Sequence, residues 1–451
     1  MKLLQEFKYI RFRWSDLFLL LGFLAFFVFM LFGQQYMYRQ DPSVCILNIW
    51  AGTGVFLAGL AFFGIYLFLE SKRGNLPHPY LFALLFIVIF TGTISIFAQP
   101  TSLEVFDGRI VELSIIHKFI FTYEMILIVL FIFSSYFVFS KRFPSYKTSL
   151  LSISYATFIF LLVVAIYSYI KESSCFPDFF KVLFGYVEGR EYPPMIKSFL
   201  LNSNAVGMAM LIGVMLCYIC HAIKPRWWYH VLAFYFYMHI IFSFCRTSFI
   251  IATAIMNFYT YYWCISNLKN KKVSSIIGIV LYSLVLITVA TVSLVAYNVE
   301  EFMPHFEIAI KKCTNFSSMY SREEIWKHSW DLLTDGHWRL GRGFGNFNLF
   351  LTYSFEHVQA YTLPSHQGFL AIIGEGGLVF LFTYIALLVY TVKVAIKCVK
   401  KDLRITIAIS LAIVGFFFYT FVETIQYLLY IFIYLLLVVY QVQNKKVIQQ
   451  E

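Results

Sequence analysis

Charged residues are scarce in this sequence. Only 13% of its 451 residues are Asp, Glu, Lys or Arg, and this share is well below that of ordinary soluble domains. Hydrophobic residues make up 60% of the chain and aromatic residues 20%. This composition excludes a typical soluble enzyme and predicts an all-α, polytopic membrane protein.

Long apolar runs set the expected architecture. A hydrocarbon core of roughly 30 Å needs about 20 apolar residues per helix. On that criterion the sequence predicts about twelve spans, at 15–33, 46–69, 79–98, 118–140, 148–170, 202–222, 227–245, 247–266, 274–297, 367–392, 405–422 and 426–443. The seventh and eighth spans meet almost without a loop at "FSFCRTSFI". The chain therefore divides into nine spans (1–297), a long, partly helical outer loop (298–365), and three spans with a cytoplasmic tail (366–451).

A continuous basic face is also lacking, although the net charge is +11. The Lys and Arg residues are dispersed over short segments between the spans, which excludes a phosphate-tracking surface and nucleic acid as a partner. Placing the N-terminus inside puts most of the short-loop Lys and Arg on the cytoplasmic side. Both termini are therefore predicted to be cytoplasmic. No A-x-A site follows the first apolar run, so we interpret it as a retained span.

Cysteines are present, but not at metal-ligand spacing. The close pair Cys217 and Cys220 lies inside an apolar span without a suitably spaced His or further Cys, so we interpret it as packing. Cys175 and Cys313 both lie in predicted outer loops. A disulfide between them stays open at this point.

The long outer loop contains a predicted helix in "SREEIWKHSWDLLTDG". Ser321 and Glu324 have the spacing of a capping box, which predicts a helix start at Ser321. Arg322, Trp326, Trp330 and Leu333 fall on one predicted stripe of that helix. An arginine is thus expected to share a face with aromatic side chains.

A glycine-rich segment, "HWRLGRGFGNF", follows that helix and contains Arg339 and Arg342. Its G-x-G-x-G spacing is not a dinucleotide-binding fingerprint, because neither a preceding strand nor a following acidic residue is present. Two interpretations stay open. The segment is either an anion cradle built from backbone N–H groups or a tight turn that folds the loop back onto the membrane.

Four stretches together resemble the bacterial O-antigen polymerase and O-antigen ligase superfamily (Wzy/WaaL-like), whose members are integral membrane glycosyltransferases with a GT-C-like fold. They are "SFLLNSNAVGMAMLIGVM", "FSFCRTSFIIATA", "SREEIWKHSWDLL" with "GRGFGNF", and "HQGFLAIIGEGGL". The resemblance covers roughly 198–390. Phe380 departs from the family pattern, which commonly has a glycine there, and Cys245 stands where a serine is frequent.

The resemblance implies transfer of a glycan from undecaprenyl diphosphate to an acceptor hydroxyl at the outer face of the bacterial cytoplasmic membrane. The implied roles are His366 as general base and Arg246 and Arg322 at the diphosphate. Substrate binding is further predicted for Arg339, Arg342, Glu375, Asn204 and Glu124. Arginine forks suit a diphosphate, and a neutral imidazole can accept a proton at physiological pH. No metal or cofactor is expected. A lipid-linked oligosaccharide, an acceptor glycan, membrane lipid and a chain-length regulator protein are the expected partners.

Each of these residues also has a structural interpretation. Arg246 would be an interface anchor and Arg322 a solvated helix charge. His366 would be a tolerated interfacial residue and Glu375 a packing hydrogen-bonder. Glu124 lies well inside a predicted span, either lining the donor groove or making a packing hydrogen bond.

Two other function classes compete with the polymerase. A transporter or flippase would also have twelve spans, but the chain lacks self-similar halves and its polar residues concentrate at one predicted face. A non-catalytic scaffold leaves the histidine and arginines unexplained. Within the enzyme class a polymerase is preferred over an O-antigen ligase, because the chain matches only the motifs that both share.

Overall fold

The structure, a computed structural model, describes residues 13–28, 42–72, 102–104, 110–112, 146–187, 192–200, 203–268, 303–314, 317–334, 338–342, 365–399 and 402–422, with a few isolated positions between them. The described helices are α1 (Trp14–Val28), α2 (Pro42–Ser71), α3 (Tyr146–Lys171), α4 (Cys175–Leu183), α5 (Ser203–Ile223), α6 (Trp228–Ser243), α7 (Arg246–Leu268), α8 (Met303–Thr314), α9 (Ser317–Thr334), α10 (Gly368–Val399) and α11 (Leu403–Val422). A 3₁₀ turn covers Ser198–Leu200. The predicted helical class is confirmed at this level.

A small antiparallel ribbon is the departure from helix within the described ranges. Strand β1 (Ser102–Glu104) pairs with β2 (Ile110–Glu112), with Leu103 opposite Val111. The intervening sequence contains Asp-Gly, a pair typical of tight hairpin turns. A ribbon this short did not register as an apolar run, so it was not predicted.

Three helices are long and apolar enough to cross a membrane, within the ranges given above: Leu150–Lys171, Ser203–Ile223 and Leu403–Phe421. They coincide with the predicted spans at 148–170, 202–222 and 405–422. Helices α1, α2, α6, α7 and α10 coincide with five more. The predicted spans at 79–98, 118–140, 274–297 and 426–443 lie outside the described residues, except for isolated helical positions. The count of twelve stays a prediction.

The chain forms two compact units. Unit 1 comprises Met1–Ser152, Tyr320–Lys401 and Thr420–Glu451, and unit 2 comprises Ile153–Met319 and Asp402–Tyr419. The three-part division of the chain stays a prediction.

In unit 1, helices α1 and α2 pack antiparallel. Gly22 of α1 leaves room for the ring of Phe63, and a Cβ added there would lie 2.7 Å from that ring. One end of the pair is joined by the Ser15 hydroxyl, which donates to the Glu70 carboxylate at 3.1 Å. A glycine of α1 thus accommodates a large ring of α2, and a polar contact joins one end of the pair.

In unit 2, helix α5 is the centre of the packing. It is apolar all round, and nearly all its residues from Ala205 to Ala222 are buried, as expected for a helix enclosed by others. Gly213 gives space to Phe236 of α6, and Gly207 approaches Ser243 and Cys245 at the junction of α6 and α7. That junction has almost no loop, as predicted, because α6 ends at Ser243 and α7 begins at Arg246.

Candidate functional site

Helix α9 carries Arg322 beside its buried residues. Ile325, Ser329 and Leu333 are its buried residues, at four-residue spacing, and Arg322 and Trp326 are half-buried beside them. The expected sharing of a face with aromatic residues therefore applies to Trp326. It is wrong for Trp330, whose side chain is 57% exposed, because Trp330 lies about 80° around the helix axis from Arg322, on the side away from Ile325.

The predicted start of this helix is also wrong. Helix α9 begins at Ser317 rather than Ser321, so Ser321 lies inside the helix and cannot act as its cap. The preceding "SSMY" segment contains no residue that stops a helix, and the first turn extends through it. The predicted end is close, because α9 ends at Thr334, two residues before Gly336.

Helix α10 is broken at Gly377, and the glycine-rich turn fills the break. Gly377 has φ 66° and ψ −165°, far from helical values. In a continuous helix the Leu378 N–H would donate to the Gly374 carbonyl. Here the Leu378 N–H donates to the Trp338 carbonyl at 3.0 Å, and the Gly374 carbonyl accepts from the Arg342 N–H at 2.6 Å. We call this arrangement the clasp: the turn 338–342 bonded to 374–378 of α10.

Glycine is required on both sides of the clasp. Gly341 has φ 70°, and a Cβ added to it would lie 2.6 Å from the backbone of Glu375. A Cβ added to Gly377 would collide with the Arg339 carbonyl, again at positive φ. Positive φ and backbone-to-backbone contact both exclude ordinary side chains. Within 338–342, the Arg342 N–H bonds to the Gly374 carbonyl of α10. The choice between anion cradle and tight turn stays open for the segment as a whole.

The clasp buries Arg342 and Glu375. Arg342 is 4% exposed and Glu375 7% exposed. The Arg342 side chain extends to α9, where an Nη2 N–H donates to the Leu332 carbonyl at 3.3 Å. The same residue therefore bonds to α10 through its backbone and to α9 through its guanidinium. The turn is the connection between the helix of Arg322 and the helix that follows His366.

Arg339 lies on the opposite side of the turn. Its side chain is exposed, and its guanidinium lies over the Trp338 ring at 5.1 Å from the centroid. Trp338 and Leu340 are also exposed, at 40% and 44%. The two predicted arginines of the glycine-rich segment therefore differ: Arg342 is enclosed between two helices, whereas Arg339 is presented to the surroundings.

His366 lies two residues before the start of α10, in a constrained backbone conformation. Its φ is 49°, in the left-handed region that non-glycine residues rarely adopt. The next residue, Gln367, caps the helix: its side-chain oxygen accepts the Leu370 N–H at 2.7 Å, and its carbonyl accepts the Ala371 N–H at 3.0 Å. The Ser365 hydroxyl donates to the same Gln367 carbonyl at 3.0 Å. The imidazole is therefore carried by a short, well-bonded turn.

Arg246 belongs to unit 2 and begins helix α7. Its Nη2 donates to the Lys312 carbonyl in the last turn of α8 at 3.1 Å, and its guanidinium lies 5.3 Å from the centroid of the Phe244 ring. The C-terminal end of a helix is its negative end and favours a cation. Arg246 therefore has a structural partner, while the diphosphate role stays a prediction.

Other polar contacts in unit 2 surround the end of helix α4. The Lys312 ammonium donates to the Val182 carbonyl, and His305 Nδ1 donates to the Phe184 carbonyl at 2.6 Å. The Glu172 carboxylate accepts the N–H groups of Lys197 and Ser198 at 3.0–3.2 Å. Side chains thus satisfy much of the irregular backbone in this part of the chain.

Asn204 lies in the first turn of α5 and is half-buried. It precedes Gly207 by three residues, which puts the two on one helix face. Gly207 packs against Cys245, the residue before Arg246. Asn204 and Arg246 are therefore found at the same end of unit 2. Glu124 lies outside the described residues, so its two interpretations remain open.

Cys175 is a free thiol in the structure, so the disulfide to Cys313 is not formed. Partial burial, together with the carboxylates of Glu172 and Asp178, raises the pKa of the Cys175 thiol. A protonated thiol is a poor nucleophile. No group of three or more His, Cys, Asp or Glu side chains is placed to hold a metal ion in the ranges that the structure describes.

One feature of α9 had no distinctive signal in the sequence. The Ser329 hydroxyl and the Trp326 indole N–H are both buried and have no hydrogen-bond partner within the described part of the chain. Trp326 and Ser329 follow Arg322 by four and seven residues, so all three lie on one face of the helix. A serine at an apolar position was the only sequence sign of this.

Comparison with known proteins adds no relative to this description. No protein-family model and no curated protein matches the chain.

Proposed function

We propose that the chain is a polymerase of lipid-linked oligosaccharide repeat units. It would transfer a glycan from undecaprenyl diphosphate to an acceptor sugar hydroxyl at the outer face of a bacterial cytoplasmic membrane. The single observation that carries the proposal is the clasp. Residues scattered from Arg322 to Glu375 lie on three elements, α9, the turn and α10, that are bonded to one another.

The proposed chemistry needs a base and a stabilised leaving group. The acceptor hydroxyl oxygen attacks the anomeric carbon of the donor glycan, and His366 removes the hydroxyl proton. The bond between that carbon and the phosphate oxygen breaks, and undecaprenyl diphosphate leaves with the electron pair. Arginines stabilise the departing negative charge. We assign this role to Arg322 and Arg246, and substrate contacts to Arg339, Arg342, Glu375, Asn204 and Glu124.

The proposal includes the membrane arrangement expected from the sequence. Twelve spans, cytoplasmic termini and a GT-C-like fold would place the loop 298–365 on the outer side. The arginines would supply the positive charge that a divalent metal supplies in other transferases, so the reaction would need no metal. A chain-length regulator would act beside the polymerase rather than in its site.

The break in α10 invites the competing transporter interpretation, because discontinuous helices often form transport sites. In such sites the unwound backbone groups bind the substrate or ion. In the clasp, the Leu378 N–H and the Gly374 carbonyl are instead bonded to the turn. A break that holds a loop in place suits a fixed enzyme site better than an alternating-access site.

Two substitutions at His366 test the proposed base. His366→Gly removes the imidazole and relieves the positive φ of 49°, whereas His366→Ala removes the imidazole and keeps the backbone strain of about 1–2 kcal/mol. We expect the glycine variant to be at least as stable as the wild type. Both variants should bind the lipid-linked donor and elongate it about 10²–10⁴-fold more slowly, measured with purified protein.

The pair separates chemistry from folding. Equal loss of elongation in both variants, despite their different stabilities, supports a catalytic imidazole. Near-normal elongation in either variant contradicts it. Reversal of a chelator's inhibition by an added metal would contradict the metal-independent mechanism. In cells, gene loss should leave single repeats on the surface for a polymerase, and no attached glycan for a ligase.

A further inference from the structure

The buried face of α9 contains two neutral hydrogen-bond donors without acceptors. Ser329 is fully buried, at 0% exposure, and neither its hydroxyl nor the buried Trp326 indole N–H has a partner among the described residues. Buried polar groups are nearly always hydrogen-bonded. Leaving such a group without a partner destabilises the folded protein. Two such groups three residues apart on one helix face therefore call for a ligand.

The position of these donors relates them to Arg322. Arg322, Trp326 and Ser329 stand at i, i+4 and i+7 on α9, so they form one row along a single face. At 1.5 Å per residue the row is roughly 10 Å long. Beyond Ser329, the guanidinium of Arg342 reaches the Leu332 carbonyl. The row thus presents a cation, an indole N–H and a hydroxyl in that order, while Arg342 is bonded to the helix beyond its far end.

The side chains of the row suit an elongated ligand that has charged phosphate oxygens at one end and neutral hydroxyl groups next to them. Guanidinium groups suit phosphate oxygens, which are charged acceptors. The indole N–H is donor-only and the serine hydroxyl both donates and accepts, which suits the neutral hydroxyl groups of a sugar. The indole ring also offers an apolar face. A sugar attached directly to a diphosphate combines these groups in the required order.

We infer that Trp326 and Ser329 form a subsite for the sugar of the donor that is attached to the diphosphate, next to Arg322. The subsite rests on the proposed function. Sugar hydroxyl groups replace the missing partners of the two donors, so the site gains hydrogen bonds only when the glycan is present. Trp326 and Ser329 are binding residues in this scheme and take no part in proton transfer.

The test uses two ligands and two conservative variants of the full-length protein. Ser329→Ala removes one hydroxyl, and Trp326→Phe removes the indole N–H while keeping an aromatic ring. Binding is measured for undecaprenyl diphosphate without sugar and for the lipid-linked oligosaccharides extracted from host membranes. We expect each variant to bind the sugar-bearing lipid about 2–10-fold more weakly, the value of a neutral hydrogen bond, and the sugar-free lipid as the wild type does.

Stability provides a second readout that an ordinary structural role would not produce. Ser243 is also fully buried, but its hydroxyl donates to the Ile240 carbonyl at 2.8 Å. Ser243→Ala should therefore lower the thermal unfolding midpoint, whereas Ser329→Ala should leave it unchanged or raise it. Trp330→Phe, on the exposed side of α9, is the control for Trp326→Phe and should leave binding of both lipids unchanged.

The outcomes separate the subsite from the proposed function. Weaker binding of the sugar-bearing lipid alone, with no loss of stability in Ser329→Ala, supports the subsite. Wild-type binding of both lipids by both variants overturns the subsite and leaves the polymerase proposal standing. Equally weaker binding of both lipids by the variants also overturns the subsite, because Trp326 and Ser329 would then contact the diphosphate rather than the sugar. Failure of the wild type to bind either lipid overturns the polymerase proposal itself.

Discussion

The irregular backbone is satisfied in different ways at the clasp of unit 1 and at the helix ends of unit 2. In unit 1 the broken helix α10 and the turn 338–342 bond backbone to backbone, and glycines allow the close approach. In unit 2 charged and polar side chains bond to backbone groups, as Arg246 does to the Lys312 carbonyl and Glu172 to the N–H of Ser198. The clasp should therefore be sensitive to added atoms at its glycines, and these contacts of unit 2 to the loss of particular side-chain groups.

The difference has an energetic reason. A backbone N–H or carbonyl without a partner in an apolar setting costs several kcal/mol. The break in α10 separates the Leu378 N–H from the Gly374 carbonyl, and the turn bonds to both. Neither the break nor the inserted turn is favourable alone, so the two should form together. The side-chain contacts of unit 2 are separate and can be removed one at a time.

The largest expected effect comes from breaking the clasp. Gly377→Ala places a Cβ against the Arg339 carbonyl at φ 66°, and we expect a loss of about 3–5 kcal/mol of stability together with loss of elongation. Gly64→Ala in α2 is the matched control, because no atom lies within 4 Å of the added Cβ. That change should stabilise by about 0.5–1 kcal/mol. Thermal unfolding in detergent measures both, and equal midpoints for the two variants would contradict the clasp.

An intermediate effect is expected in unit 2 from Arg246→Lys. Lysine keeps the charge and one donor for the Lys312 carbonyl, but it loses the planar fork needed for two acceptors at once. We expect elongation to fall about tenfold or more, equivalent to ~1.4 kcal/mol, while stability changes little. Arg404→Lys is the control, since Arg404 donates to Asn267 at 3.4 Å in the same unit and has no assigned role. Normal elongation in the Arg246 variant would contradict the diphosphate role. Arg246 would then act only as a cap at the end of helix α8.

The smallest effect is expected from Glu172→Gln. Both carboxylate oxygens of Glu172 accept N–H groups of Lys197 and Ser198, and glutamine offers only one acceptor. Because Glu172 is partly exposed, the expected loss is about 1 kcal/mol or less, with elongation unchanged. A loss of unfolding free energy as large as that of Gly377→Ala would contradict this prediction. It would show that the side-chain contacts of unit 2 depend on one another as strongly as the two parts of the clasp do.

Much of the helical architecture could be predicted from apolar run length. The near-absence of a loop before Arg246 was predicted, and so was the position of Arg322 beside Trp326. The start of α9 and the exposure of Trp330 were not, because a cap signal and a stripe are local patterns that packing can override. Ser329 was missed because a single serine in a helix has no distinctive spacing.

The sequence by itself determined that this chain is helical and apolar enough to contain membrane-spanning segments, because composition and run length control transfer from water to lipid. It also determined where another part of the chain can approach the backbone closely, because residues 341, 374 and 377 are glycines. Only the tertiary structure decided how they are used. Gly213 of α5 receives a side chain, whereas Gly341 and Gly377 receive backbone. A glycine removes a steric barrier whatever its neighbour is, so the group that fills the space depends on a segment distant in the chain.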